Sequence, residues 1–142
     1  MTSTSTPPEK RSTAAFIASL PPDQVEEFLA DLSPNAVASL PFLFEVWGHP
    51  GHQLPPAGDW ITWLILGGRG AGKTRAGSEW IRAQVEGATP QSAGKCSRIA
   101  LIAETIDQAV EIMIRGDSGI LACTPDDRRP EYIATRKALI WP

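Results

Sequence analysis

Cysteine and histidine are too scarce in this sequence to build a metal centre or a disulfide scaffold. Its only cysteines, Cys96 and Cys123, are far apart and follow neither a Cys-x-x-Cys nor a Cys/His spacing. They are expected to be reduced, buried or half-buried thiols of a cytosolic protein. The two histidines, His49 and His52, sit in a Pro/Gly-rich stretch and lack a third ligand. No apolar run approaches membrane-spanning length, and the N-terminus has no signal-peptide core, so a cytoplasmic protein is expected. An excess of basic charge is missing too: Lys and Arg total 13 against 16 Asp and Glu, a formal charge of −3. That balance argues against a dedicated nucleic-acid-binding domain and leaves room only for a local basic patch. No internal repeat or heptad pattern is present. With 142 residues and 42% hydrophobic content, the chain suits one modest globular domain.

Glycine, by contrast, is concentrated where it matters. Gly67-Gly68-Arg69-Gly70-Ala71-Gly72-Lys73-Thr74 fits G-x-x-x-x-G-K-[ST], the phosphate-binding loop of P-loop NTPases. Upstream, Trp60 to Leu66 is a short apolar run of β-type residues, as expected of a buried central strand. Downstream, Arg75 to Glu86 reads as a helix with Ala76, Trp80 and Ala83 on one stripe, Ile81 and Val85 beside it, and Gly87 as its stop. A polyphosphate can be cradled by backbone N–H groups only where no side chain blocks the approach, hence Gly67, Gly68, Gly70 and Gly72 around Ala71. Lys73 is then placed at the β- and γ-phosphates, Thr74 at Mg²⁺, and the helix start adds its positive end. ATP and Mg²⁺ are the expected ligands. A glycine-rich strand–helix turn without a ligand is the plain alternative, but it gives no reason for Lys followed by Thr at the helix start.

The rest of the chain frames this loop. Residues 1–12 are Ser/Thr/Pro-rich and read as a disordered tail. Residues 13–47 read as a series of short helices punctuated by prolines. Among them, Val25, Phe28, Leu29 and Leu32 form one apolar stripe on an acidic helix, for packing or for a partner helix. Residues 48–59 are a Pro/Gly-rich linker. Within it, Gln53 either reads an adenine edge through its amide or is a solvent-exposed loop side chain. Residues 60–142 then form a partial P-loop domain. Ala88 to Lys95 is a polar loop, and Ile99 to Ala103 a second buried strand, so strand, crossover helix and strand predict an α/β fold with a parallel sheet. Ile106 to Arg115 is a third helical segment, broken by Gly116-Asp117-Ser118-Gly119. Asp126 to Pro130 is a charged loop, and Tyr132 to Trp141 looks extended.

Two residues bear on catalysis. Hydrolysis requires an acid to order Mg²⁺ and a group to position the attacking water, often adjacent acids after an apolar strand. Here only Glu104 follows such a strand, with Thr105 where the second acid would be. Arg69 is not needed for the loop's shape. It either stabilises transferred charge, as arginine fingers do, or is an exposed or salt-bridged side chain.

The stretch Leu54-Pro55-Pro56-Ala57-Gly58-Asp59-Trp60 through Arg75-Ala76-Gly77 resembles large terminase subunits, the DNA-packaging motors of tailed phages and of alphaproteobacterial gene transfer agents. Leu40 to Trp47, Arg98 to Glu104, Gly116 to Leu121, and Arg129 to Pro142 are similar to that family as well. The resemblance implies a RecA-like, additional-strand P-loop ATPase domain preceded by short N-terminal helices. It implies that Arg69 acts with Lys73 in ATP hydrolysis and that Gln53 contacts adenine. As partners it implies double-stranded DNA, a portal, a small terminase subunit and a homo-oligomeric ring, with no membrane. Members of that family are longer, and their Walker B acids and nuclease carboxylates follow the region matched here, so an N-terminal fragment is expected, with little turnover in isolation. The competing readings are an inert, partner-binding remnant of a P-loop protein and a small-molecule kinase.

Overall fold

A computed structural model of the chain describes residues 11–88 and 92–142. The expected disordered tail therefore lies, up to residue 10, outside the described residues, as does the middle of the polar loop before Lys95. At the end of that tail Ser12 is buried, and its hydroxyl accepts a hydrogen bond from Ala15 N at 3.2 Å, capping the first helix. The chain divides into two compact units, residues 1–65 and residues 66–142.

In the first unit the first three helices begin where the sequence supplies an N-terminal signal. Helix α1 spans Thr13–Ile17 behind the Ser12 cap. Helix α2, Pro22–Ala30, has proline in its first turn, where a missing N–H costs nothing. Helix α3, Pro34–Ser39, is capped by Ser33, whose hydroxyl accepts from Ala36 N at 3.2 Å. A 3₁₀ turn at Leu40–Phe42 leads to α4, Phe44–Trp47. Trp47 Nε1 donates to Leu40 O at 2.6 Å and ties the last helix back to the turn before it. Gly48 ends the series where a side chain does not fit: a Cβ there would meet Leu54 Cδ2 at 2.6 Å. None of these helices buries a residue fully, and Phe28 and Leu29 of the expected α2 stripe each remain 41% exposed.

The second unit is built on α5, Lys73–Val85. It starts two residues earlier than the apolar pattern predicts, because its first turn belongs to the glycine loop. Its buried face also differs from the predicted stripe. Ala76 is buried as expected, but beside it lie Ser78, Glu79 and Arg82, while Trp80 is half-buried and Ala83 exposed. The polar face packs because it is satisfied internally, as described below. Helix α6, Ile106–Gln108, is capped by Thr105 (Gln108 N to Oγ1, 3.1 Å) and continues as a π-helical turn, Ala109–Ile114. Helix α7, Ile120–Cys123, packs on α5 and on that turn, with Ile114, Ile120, Cys123 and Ala76 as the core. Ser78 Oγ donates to Ser118 O at 2.9 Å, pinning the Gly116–Gly119 break against α5.

The expected extended run at the end of the chain is a hairpin. Strand β1, Glu131–Ile133, pairs antiparallel with β2, Ala138–Ile140, through a four-residue turn in which Lys137 adopts a positive φ of 50°. This is the sheet found among the described residues. The two apolar runs expected as parallel strands, 60–66 and 99–103, carry no helix and no ladder there. Alternate side chains stand in solvent: Ile61 is fully exposed, Leu66 is 80% exposed and Ile102 84%, whereas Trp63, Ile65, Ile99 and Leu101 are half-buried.

Candidate phosphate-binding site

The glycine loop brings eight of the predicted site residues, Gly67 to Thr74, together as a continuous turn into α5. Gly70 and Gly72 take φ values of 83° and 75°, in the left-handed region where a side chain would be strained. Ala71 N donates to Gly68 O at 3.3 Å and tightens the bend. A Cβ at Gly67 would come within 2.7 Å of the Ala71 Cβ, so glycine is required there by packing. At Gly68 and Gly70 a Cβ would meet nothing within 4 Å, so the backbone lies open on that side.

Lys73, the first residue of α5, arches back over this loop. Its Nζ donates to Gly67 O and to Gly68 O, both at 2.8 Å. The ammonium is thereby held against the loop backbone on an exposed side chain. Gly72 offers no side-chain cap to the helix, and the first backbone hydrogen bond into it is Ala76 N to Gly72 O at 2.9 Å. A 13-residue helix with an uncapped N-terminus presents N–H groups and a partial positive charge to an anion. Thr74 lies in this first turn, half-buried, where its hydroxyl suits a hard cation shared with a phosphate. The open backbone, the lysine and the threonine are chemically suited to a magnesium-bound polyphosphate.

Arg69 is exposed at the loop's edge, with no hydrogen bond or ion pair to any of the described residues. Among the described residues it is thus an exposed side chain and not a salt-bridged one. The arginines of α5 contrast with it. Arg75 Nη2 pairs with Glu79 Oε1 at 2.6 Å, Arg82 Nη1 with Glu79 Oε2 at 2.7 Å, and Arg82 Nε with Glu86 Oε1 at 2.9 Å. Burial pushes the Glu79 carboxyl above its ordinary value, against the opposing pull of Arg82 and Arg75. For Arg82, burial works to lower the value, but the hydrogen bonds and charges of Glu86 and Glu79 outweigh it and the net shift is upward. Hydrophobic periodicity missed this network, although the charges recur at helical spacing, 75, 79, 82 and 86.

The remaining candidates, Gln53 and Glu104, are not part of the loop. Gln53 belongs to the first unit, where its Oε1 accepts from His49 N at 3.0 Å within a turn that also joins Gln53 N to His49 O at 2.9 Å. Glu104 is exposed just before the Thr105 cap. Among the described residues no cluster of three or more His, Cys, Asp or Glu could hold a metal ion. Cys123 is buried as expected, and burial drives its thiol up to about 11, whereas Cys96 is exposed, contrary to expectation. No helix among the described residues is long and apolar enough to cross a membrane.

No curated protein and no solved structure matches the chain. The family described as terminase large subunit, T4likevirus-type, N-terminal, matches residues 64–142, from the run before the glycine loop to the end of the hairpin. That match takes in more than half of the chain, and it contains the loop, α5 with its ion-pair ladder and the hairpin. The chain thus belongs to the large terminase subunit family, in its N-terminal part.

Proposed function

We propose that this chain is the ATP-binding part of a DNA-packaging motor, with Gly67 to Thr74 holding the polyphosphate of an ATP·Mg²⁺ complex. The single observation that carries the reading is Lys73, whose Nζ is folded onto the carbonyls of Gly67 and Gly68 at the open face of the loop. In this reading the backbone N–H groups of the loop surround the phosphates, Lys73 neutralises the β/γ oxygens, and Thr74 Oγ1 ligates Mg²⁺. Arg69, unpaired within the described residues, is left to meet charge that develops on the transferred phosphoryl group. Gln53 is the candidate adenine contact.

The same proposal extends to the fold. The runs 60–66 and 99–103 are read as strands of one parallel, RecA-like sheet with an additional strand. Their exposed apolar side chains support this, since such runs in solvent call for ladder partners. Membership of the terminase family supports a role in DNA packaging. Double-stranded DNA, a portal, a small terminase subunit and a ring of copies are proposed partners, in a phage or a gene transfer agent acting in the bacterial cytoplasm. A second reading, a catalytically inert P-loop remnant or partner-binding module, is favoured by one observation: Glu104 stands alone as the acid after an apolar run.

Calorimetric titration with ATP and Mg²⁺ tests the central claim. Lys73→Ala is expected to abolish binding, while Arg69→Ala keeps affinity within a few-fold. In a hydrolysing relative, the equivalent arginine change should cut turnover by roughly 10³-fold or more. Equal ATP affinity in the wild type and Lys73→Ala would overturn the proposal.

A further inference from the structure

Helix α5 orders its ionised residues against its own dipole. In both of its i, i+4 pairs, Arg75–Glu79 and Arg82–Glu86, the cation comes first. Helix electrostatics favour the reverse, with the acid toward the positive N-terminal end and the base toward the C-terminal end. Arg75 stands in the first turn, directly after Thr74, and Glu86 caps the opposite end. Helix stability alone does not account for that order. What the order does fix is where the Arg75 guanidinium lies.

Each member of the ladder orients the next. Glu86 accepts from Arg82 Nε at 2.9 Å and from Nη2 at 3.1 Å. Arg82 Nη1 donates to Glu79 Oε2 at 2.7 Å, which leaves Oε1 to Arg75. Arg75 turns both Nε and Nη2 onto that oxygen, at 2.7 and 2.6 Å. The Glu79 side chain is only 4% exposed and is fixed from its other side, so it draws the guanidinium back along the helix. Helical side chains otherwise lean toward the N-terminus, which for Arg75 is the direction of the glycine loop. A guanidinium there would compete with a divalent cation for phosphate oxygens, which it binds bidentately. We propose that Glu79 is a positioning residue that holds Arg75 off the nucleotide, leaving Mg²⁺ to balance the phosphate charge. The inference rests on the reading of the loop as an ATP·Mg²⁺ site and names what sets the metal dependence of that site.

Calorimetric titration of the full chain with ATP, once with Mg²⁺ and once with EDTA, tests the proposal through the ratio of the two affinities. A merely structural role for Glu79 would move both affinities together and leave the ratio alone. The wild type should bind more tightly with Mg²⁺. Glu79→Gln should shrink the ratio by at least about tenfold, through tighter metal-free binding by the released guanidinium. Adding Arg75→Ala to Glu79→Gln should restore the wild-type ratio. Arg75→Ala alone should keep ATP affinity within a few-fold in both conditions, because the guanidinium is turned away. Circular dichroism checks folding, and the Arg75→Ala comparison stands even if Glu79→Gln does not fold. An unchanged ratio in folded Glu79→Gln, or a shrunken ratio that persists in the double variant, would overturn the proposal. So would a wild type indifferent to Mg²⁺, or a loss beyond about tenfold in Arg75→Ala, which would make Arg75 a direct phosphate contact. A wild type that binds no ATP in either condition would instead remove the reading of the loop, and this proposal with it.

Discussion

Lys73 and Arg69 are both cations of the glycine loop, yet their surroundings differ. Lys73 is held by two loop carbonyls, while Arg69 has no partner among the described residues, so one is placed and the other is available. Thiol chemistry divides at the same scale. Cys123 is fully buried with its thiol raised to about 11, while Cys96 is exposed. At pH 8 only about one part in a thousand of Cys123 is thiolate, from the ordinary titration relation. One thiol per chain should therefore react quickly with an alkylating reagent at pH 8, with the second reacting only once denaturant opens the core. The sign for stability follows from the raised value. This thiol favours the folded state most below about 9, its unfolded value, and loses that contribution as the pH climbs through about 11. Mass spectrometry of tryptic peptides reports which cysteine is labelled; rapid labelling of Cys123 in the native protein would contradict its placement.

Among the elements, α5 shows how far the sequence could be read. Its existence and its position after the loop follow from a local motif, because a glycine loop leading into a helix is a contiguous structure. Its buried face does not follow. A periodicity of apolar residues has no way to register that Glu79, flanked by Arg75 and Arg82, is satisfied well enough to lie inward. The hairpin was similarly hidden. Ala134 to Lys137 contains no Gly, Pro, Asn or Asp, so an extended run with no visible turn was expected where Lys137 in fact reverses the chain at φ 50°. Strand pairing for 60–66 and 99–103 depends on partners distant in sequence, which no local pattern specifies. The buried network also predicts a mutational contrast. Glu79→Ala removes the carboxylate that Arg75 and Arg82 share, at a cost of about 3 kcal/mol, the usual size for breaking a buried pair. Asp126→Ala removes an exposed partner of Arg129 and should cost less than about 1 kcal/mol. Urea unfolding of the two variants measures this, and equal midpoints would mean that the α5 network contributes no more than an exposed pair.

For the whole molecule, two units with different characters share one chain. The first is acidic and buries little; the second carries the glycine loop, the ion-pair ladder and the terminase match. In the proposed function the second unit grips a polyphosphate with backbone N–H groups of residues 67–74. Amide hydrogen exchange, followed by mass spectrometry with and without ATP and Mg²⁺, measures those groups directly. Slowed exchange concentrated in peptides covering Gly67 to Ala76, present with ATP, weaker with AMP and absent in Lys73→Ala, is the predicted result. Exchange across that stretch that ATP leaves unchanged, or protection confined to other parts of the chain, would contradict the account.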